Sequence, residues 1–178
     1  RPGYVNVDFR KGPGVDIVHD LSVRPWPFDS GSCDEILMLD FLEHFSYRDT
    51  KNMLIEAHRA LSTGGHLVIQ VPDAEILCAA FLLRERFQCN RCGCYWDKKR
   101  TDCESCGQSY RDLKEAAMMR LFGGQDYPGN FHHTMFDTHR LDDIVSSVGF
   151  ALVGWEELDH QAANWNIKGR FVKRSLWA

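Results

Sequence analysis

Residues Pro27–Asp73 read PFDSGSCDEILMLDFLEHFSYRDTKNMLIEAHRALSTGGHLVIQVPD, and the punctuation of this stretch decides the fold. A loop carrying Phe28 and Asp34 leads into Glu35–Leu39, a short apolar run of the buried-strand type. Leu42-Glu43-His44 follows. Tyr47, Thr50, Leu54, Ala57 and Leu61 then recur at three- and four-residue steps, which predicts one helical face from about Asp49 to Ala60. The Gly64-Gly65 pair is expected to stop that helix, because glycine tolerates the left-handed backbone of a helix end. His66–Val71 reads as the next, β-branched strand.

Working outward, the same alternation continues. Tyr4–Asp8 and Val15–His19 are predicted strands, and both run into acids, Asp8 and Asp20-Leu21. Leu141, Ile144, Val145 and Val148 mark a late helix closed by Gly149. Ala151–Glu156 and Ile167–Lys173 read as two final strands that can pair as a hairpin. Strands alternating with helices argue for a parallel sheet with right-handed crossovers. Such sheets bind ligands at the carboxyl ends of their strands, which singles out Asp8, Asp20 and Asp40.

The bulk numbers agree with one domain. The chain has 178 residues, 44% of them apolar and 26% charged. The charge balance, 21 − 25 = −4, supplies no overall basic field for nucleic acid. No apolar run approaches the roughly 20 residues of a membrane helix. With no signal peptide evident, a cytoplasmic location is expected.

Taken together, the quoted stretch resembles the second half of a class I S-adenosylmethionine (SAM)-dependent methyltransferase of the type 11 group. The shared pattern is P-F, a strand after an acid, L-E-H, a helix ending R-x-L, two glycines, a strand and P-D. Cys33 stands where that group usually has Phe, and Thr63 where it has Pro. The resemblance implies a Rossmann-like, mostly parallel sheet with a C-terminal antiparallel strand pair. It implies that Asp8, with Phe9 beside it, takes the SAM ribose, and that Asp20 and Leu21 meet the adenine. It places Asp40 nearest the methionine part. Read without the resemblance, Asp8 is more readily a loop aspartate capping a turn, and the resemblance reverses that preference.

The family also begins with a strand and a Gly-rich turn upstream of the segment seen here at Gly3–Asp8. Neither is visible in this sequence, and Gly12-Pro13-Gly14 lies on the wrong side of Asp8 to replace the turn. Either the native protein carries that strand outside this sequence or part of its cofactor site is lost, and the former is favoured because a sheet without the strand would expose two unpaired edges. Without the backbone donors of the Gly-rich turn, this chain alone is expected to hold SAM weakly or not at all.

A second signal is an insertion at about 87–110. Cys89, Cys92, Cys103 and Cys106 form two C-x-x-C-G knuckles, a zinc-ribbon pattern in which four thiolates close a structural, tetrahedral Zn2+ site. Disulfides are the alternative, and they require an oxidising compartment that nothing here indicates. Cys94 fits a knuckle poorly, and Cys33 and Cys78 read as buried apolar residues. Arg91, Lys98, Lys99 and Arg100, with Tyr95 and Trp96, can bind single-stranded nucleic acid or can be an ordinary solvated surface; the latter is favoured.

Phe122-Gly123-Gly124-Gln125 followed by His132-His133 resembles a segment the family carries between its lid helices. His44, His132 and His133 are candidate general bases, since imidazole titrates near neutrality, although for each taken separately a structural role is favoured. A second metal at His132/His133 lacks carboxylate or cysteine partners at a convincing spacing in the sequence. The expected function is methyl transfer from SAM to an acceptor, with a small molecule or glycan-like group favoured. The rival is a non-catalytic module of the same fold that binds a protein or nucleic acid through its zinc ribbon.

Overall fold

Eight strands and four α-helices are found among the described residues of the computed structural model. It describes residues 3–82, 86–89, 91–92, 94–97, 102–107, 110–156, 158 and 165–174. The elements are β1 Val7–Asp8, β2 Ile17–Val18, β3 Cys33–Leu39, α1 Thr50–Ala60, β4 Leu61–Pro72 and α2 Ala74–Leu82. After them come β5 Arg86–Gln88, β6 Tyr95–Asp97, α3 Tyr110–Phe122, α4 Thr138–Ser146, β7 Phe150–Trp155 and β8 Asn166–Lys173. A single 3-10 turn, Leu42–His44, separates β3 from α1.

The main sheet has the order β3-β4-β8-β7. β3 and β4 are parallel, while β8 pairs antiparallel with both β4 and β7, so the sheet is mixed. The expected C-terminal antiparallel pair is therefore present. β4 is central and long because Leu67, Val68, Ile69 and Val71 are all buried, the continuous apolar pattern of a strand covered on both faces. α1 supplies Met53, Leu54 and Ala57 to the same core, at helical spacing. α4 adds Leu141 and Val145, and its first turn is capped by Asp137, which accepts from the Arg140 amide at 2.7 Å. Truncating a fully buried leucine of this core, such as Leu54 or Leu67, removes about 2–5 kcal/mol.

The helix ends where expected, and two other expectations need correction, the role of Gly64-Gly65 and the length of the first strands. α1 ends at Ala60, where Leu61 turns extended, so the helix stops before Gly64-Gly65. The glycines instead sit inside β4, where the β3 pairing shifts register between Cys33 and Glu35. Gly64 has φ +76, and a Cβ on Gly65 would meet the Asp34 carbonyl oxygen at 3.0 Å. The two first strands are also only two residues long, shorter than the sequence pattern suggests.

β1 and β2 pair in parallel as a separate two-stranded sheet. Among the described residues no strand joins this pair to the β3 edge. Side chains cross the gap instead: the Tyr4 hydroxyl donates to Glu35, whose other oxygen accepts from Arg170 at 2.8 Å.

A second, smaller core joins α2, α3 and the cysteine insert. It contains Leu77, Ala80, Cys89, Cys103, Ala117, Leu121 and Trp165. No helix among the described residues is long and apolar enough to cross a membrane.

Candidate active site and cysteine cluster

The ends of β1, β2 and β3 converge on one cleft of about 320 Å³, lined by Asp8, Phe9, Arg10, His19, Asp20, Leu21, Asp40, Phe41, His44, Phe45, Tyr127 and Gly129, with Val7 at its base. This volume lies at the lower end of the range of about 300–1,000 Å³ usual for small-molecule sites. All five residues expected to meet the cofactor are on its wall.

Each acid is held by local structure. Asp8 Oδ1 accepts the Arg10 backbone amide at 2.7 Å, which turns the chain sharply after β1. Asp20 Oδ1 accepts the Ser22 amide at 2.9 Å, and hydrogen bonding from Ser22 holds its carboxyl below the usual range. Asp40 follows β3 with φ +50, an uncommon conformation for a residue with a side chain. Its Oδ1 accepts from Asn166 at 3.0 Å and its Oδ2 from Gln70 at 3.2 Å. Arg120 in turn donates to Asn166 Oδ1 at 3.0 Å, linking α3 and β8 to the end of β3. Neither Arg120 nor Asn166 is recognisable from sequence pattern, since each lies far along the chain from the acid it supports.

Across the cleft mouth, Arg10 stacks on Tyr127 with its guanidinium carbon 4.4 Å from the ring centroid. Phe9 packs against Gly129, where an added Cβ would approach the Phe9 ring to 3.1 Å. The loop bearing Tyr127 is closed by Gly123, which has φ +78 and whose hypothetical Cβ would lie 2.3 Å from the Asn130 carbonyl oxygen. That steric demand explains the Phe-Gly-Gly-Gln pattern.

The histidine segment is clamped to the 3-10 turn. The amides of His133 and Thr134 donate to the Glu43 carbonyl at 2.7 and 3.3 Å, and Thr134 Oγ1 donates to the Phe45 carbonyl at 2.7 Å. His44 and His132 face each other edge to face, 4.9 Å between ring centroids. His133 does not join them: it is exposed and stacks on Phe131. Glu43, absent from the sequence candidates, is buried beside the His44–His132 pair, and both of its carboxyl oxygens lack a partner. Burial, reinforced by the Asp40 charge, pushes its carboxyl up to about 8. Burial likewise lowers the His132 imidazole.

In the insert, Cys89, Cys92, Cys103 and Cys106 bring their sulfurs within 4.8 Å of one another. Cys89 and Cys106 sulfurs are 3.6 Å apart, and those of Cys92 and Cys103 are 3.5 Å apart. Four sulfurs at 2.3 Å from one zinc would stand about 3.8 Å apart, so the cluster is consistent with a tetrahedral zinc site. The same sulfurs are too far apart for the roughly 2.05 Å of a disulfide. Cys94 is exposed and outside the cluster, contributing only a carbonyl that accepts the Cys89 amide at 2.7 Å. Cys33 and Cys78 pack against the two apolar cores. Lys98, Lys99 and Arg100 lie outside the described residues.

The mixed sheet with its cysteine insert is an α/β methyltransferase-like fold. Residues 6–69 match the methyltransferase domain family. No curated protein matches the chain. Among solved structures, it is similar to Burkholderia thailandensis 1,6-didemethyltoxoflavin-N1-methyltransferase at 12% identity and a TM-score of 0.56, covering 95% of this chain and 60% of that one. A Pyrococcus horikoshii protein is similar at 12% identity and a TM-score of 0.53, covering 90% of this chain and 60% of that one. At these identities the likeness establishes the fold, and the chain spans about 60% of the length of both structures.

Proposed function

We propose that this chain is the catalytic domain of a SAM-dependent methyltransferase, with the cleft above β1, β2 and β3 as its cofactor site. The observation that carries the reading is that Asp8, Phe9, Asp20, Leu21 and Asp40, separated in sequence, line a single cleft. Asp8 binds the ribose hydroxyls, Phe9 packs beside them, Asp20 and Leu21 meet the adenine, and Asp40 orients the methionine part. Bound SAM would supply an electrophilic methyl group on its sulfonium, for transfer to an O, N or C nucleophile with the neutral thioether of S-adenosylhomocysteine as the leaving group.

The protein's contribution is mostly alignment and exclusion of water. Arg10, Phe9 and Tyr127 narrow the mouth of the cleft, and the Asp40–Asn166–Arg120 chain fixes the floor. His44 reaches the cleft wall and His132 lies against it, so these two are the favoured proton acceptors; exposed His133 is the weakest of the three candidates. A small-molecule acceptor is supported by the Burkholderia structure, which was solved with 1,6-didemethyltoxoflavin and S-adenosylhomocysteine bound. The four cysteines hold one structural zinc, and the insert at about 87–110 belongs to the same methyltransferase domain, 1–178, through the core that it shares with α2 and α3.

The test is calorimetry with SAM and S-adenosylhomocysteine on the 178-residue chain and on the product of the natural reading frame that contains it. The natural product should bind both, and the Asp8→Ala variant should bind at least tenfold more weakly, because charge-assisted bonds to two hydroxyls are lost, each worth about 1.5–3 kcal/mol. A natural product that binds neither compound would remove the enzyme reading and leave a binding module in its place.

A further inference from the structure

The geometry points to a second metal site, distinct from the four cysteines, formed by Glu43, His44 and His132 and taking a divalent first-row transition metal. One ligand atom from each of the three residues lies within 4.8 Å of the other two. Ligands about 2.0–2.2 Å from a common ion stand at most roughly 4.3 Å apart, so small side-chain rotations close the site.

Three independent features prepare these groups for an ion. First, His44 Nδ1 lies 3.1 Å from the Phe131 carbonyl oxygen and His132 Nδ1 lies 2.7 Å from the Arg120 carbonyl oxygen. A carbonyl only accepts, so each Nδ1 carries the proton and each Nε2 presents its lone pair. A histidine anchored in this way through its far nitrogen is the usual arrangement of a metal ligand. Second, Glu43 is 1% exposed, with neither carboxyl oxygen partnered. A buried carboxyl without partners costs stability unless something completes its coordination. Third, the two chain segments are fixed to each other by backbone bonds, from His133 and Thr134 to the Glu43 carbonyl, so the ligands are assembled before any ion arrives.

Two imidazoles and one carboxylate suit zinc or iron(II) better than magnesium or calcium, and three protein ligands leave coordination positions open. His44 also lines the cofactor cleft, so the ion would sit in its wall, and while it is bound neither imidazole is free to act as the proton acceptor named above. The sequence hid this site because the carboxylate partner of His132 comes from the turn before α1 and not from the histidine segment.

Metal content after dialysis against buffered zinc, measured by plasma mass spectrometry, tests the site without any assay of activity. Wild-type protein should hold one more equivalent than Glu43→Gln and than His132→Gln. Cobalt substitution separates the two sites. The intense thiolate bands of the cysteine site should persist in both variants, which also reports that they are folded, while the weaker nitrogen–oxygen bands disappear. Equal metal content in wild type and folded variants would overturn the proposal. Should both variants fail to fold, imidazole nitrogen NMR on wild type decides: zinc should shift the Nε2 resonances of His44 and His132, and unmoved resonances would sink the site.

Discussion

Asn166, the first residue of β8, donates its side-chain amide to Asp40 Oδ1 at 3.0 Å, while its own side-chain oxygen accepts from Arg120. One amide thereby satisfies a carboxylate at the end of β3 and a guanidinium on α3. Asn166 is 8% exposed, so its amide has little access to water.

Asn166→Leu should therefore destabilise the fold by about 0.5–1.5 kcal/mol, the net worth of a typical hydrogen bond, because the partners left behind, exposed Asp40 and half-buried Arg120, can turn to water. It should also weaken SAM binding, because Asp40 would no longer be held in its φ +50 conformation. Denaturant titration and calorimetry check the two effects separately. Unchanged stability together with unchanged affinity would show that the amide is incidental.

How much of this was legible beforehand follows from which interactions are local. β3, α1, β4, α4 and the β7–β8 pair carry their periodicity in contiguous residues, and all form close to where that periodicity puts them. The cysteine cluster was legible for the same reason, because two knuckles encode their own geometry. The acids ending β1, β2 and β3 could be found by rule, since parallel sheets place ligands at strand ends. The role of Gly64-Gly65 was misjudged, because the pair serves a close approach to Asp34, a tertiary demand that looks like a helix stop in one dimension. Arg120, Asn166 and Glu43 were hidden because their roles depend on segments distant in sequence meeting in space.

The cysteine cluster yields a prediction about stability. Cys89 and Cys103 are buried in the same small core as Leu77, Leu121 and Trp165. A core this small is expected to depend on a metal held by the four cysteines, which would couple metal binding to folding. Cys103→Ser should lower zinc content by about one equivalent and loosen α2 and α3 together, with β3, β4 and β8 largely spared. Hydrogen exchange read element by element distinguishes this from global unfolding. Full zinc retention in the variant, or a disulfide among these four cysteines in the native protein, would contradict the assignment.

The final prediction concerns acid. Glu56 on α1 is 7% exposed, and its Oε1 accepts from Arg59 Nη2 at 2.7 Å, Arg59 Nε at 2.9 Å and the Trp26 backbone amide at 2.8 Å. Arg59 first, then the Trp26 amide, holds the Glu56 carboxyl below its usual value of 4.5. A group with a depressed folded pKa contributes its full stabilisation above the unfolded value and loses it as pH falls through the folded value. The stability difference between wild type and Glu56→Gln should therefore be constant near neutrality and shrink below about pH 4.5. Near neutral pH, wild type should be more stable by about 1.5–3 kcal/mol, the worth of a bond to a charged group. Urea titrations of both proteins between pH 7 and pH 3 provide the comparison. A gap that widens as the pH falls would reverse the sign and show that Glu56 is stabilised in its neutral form.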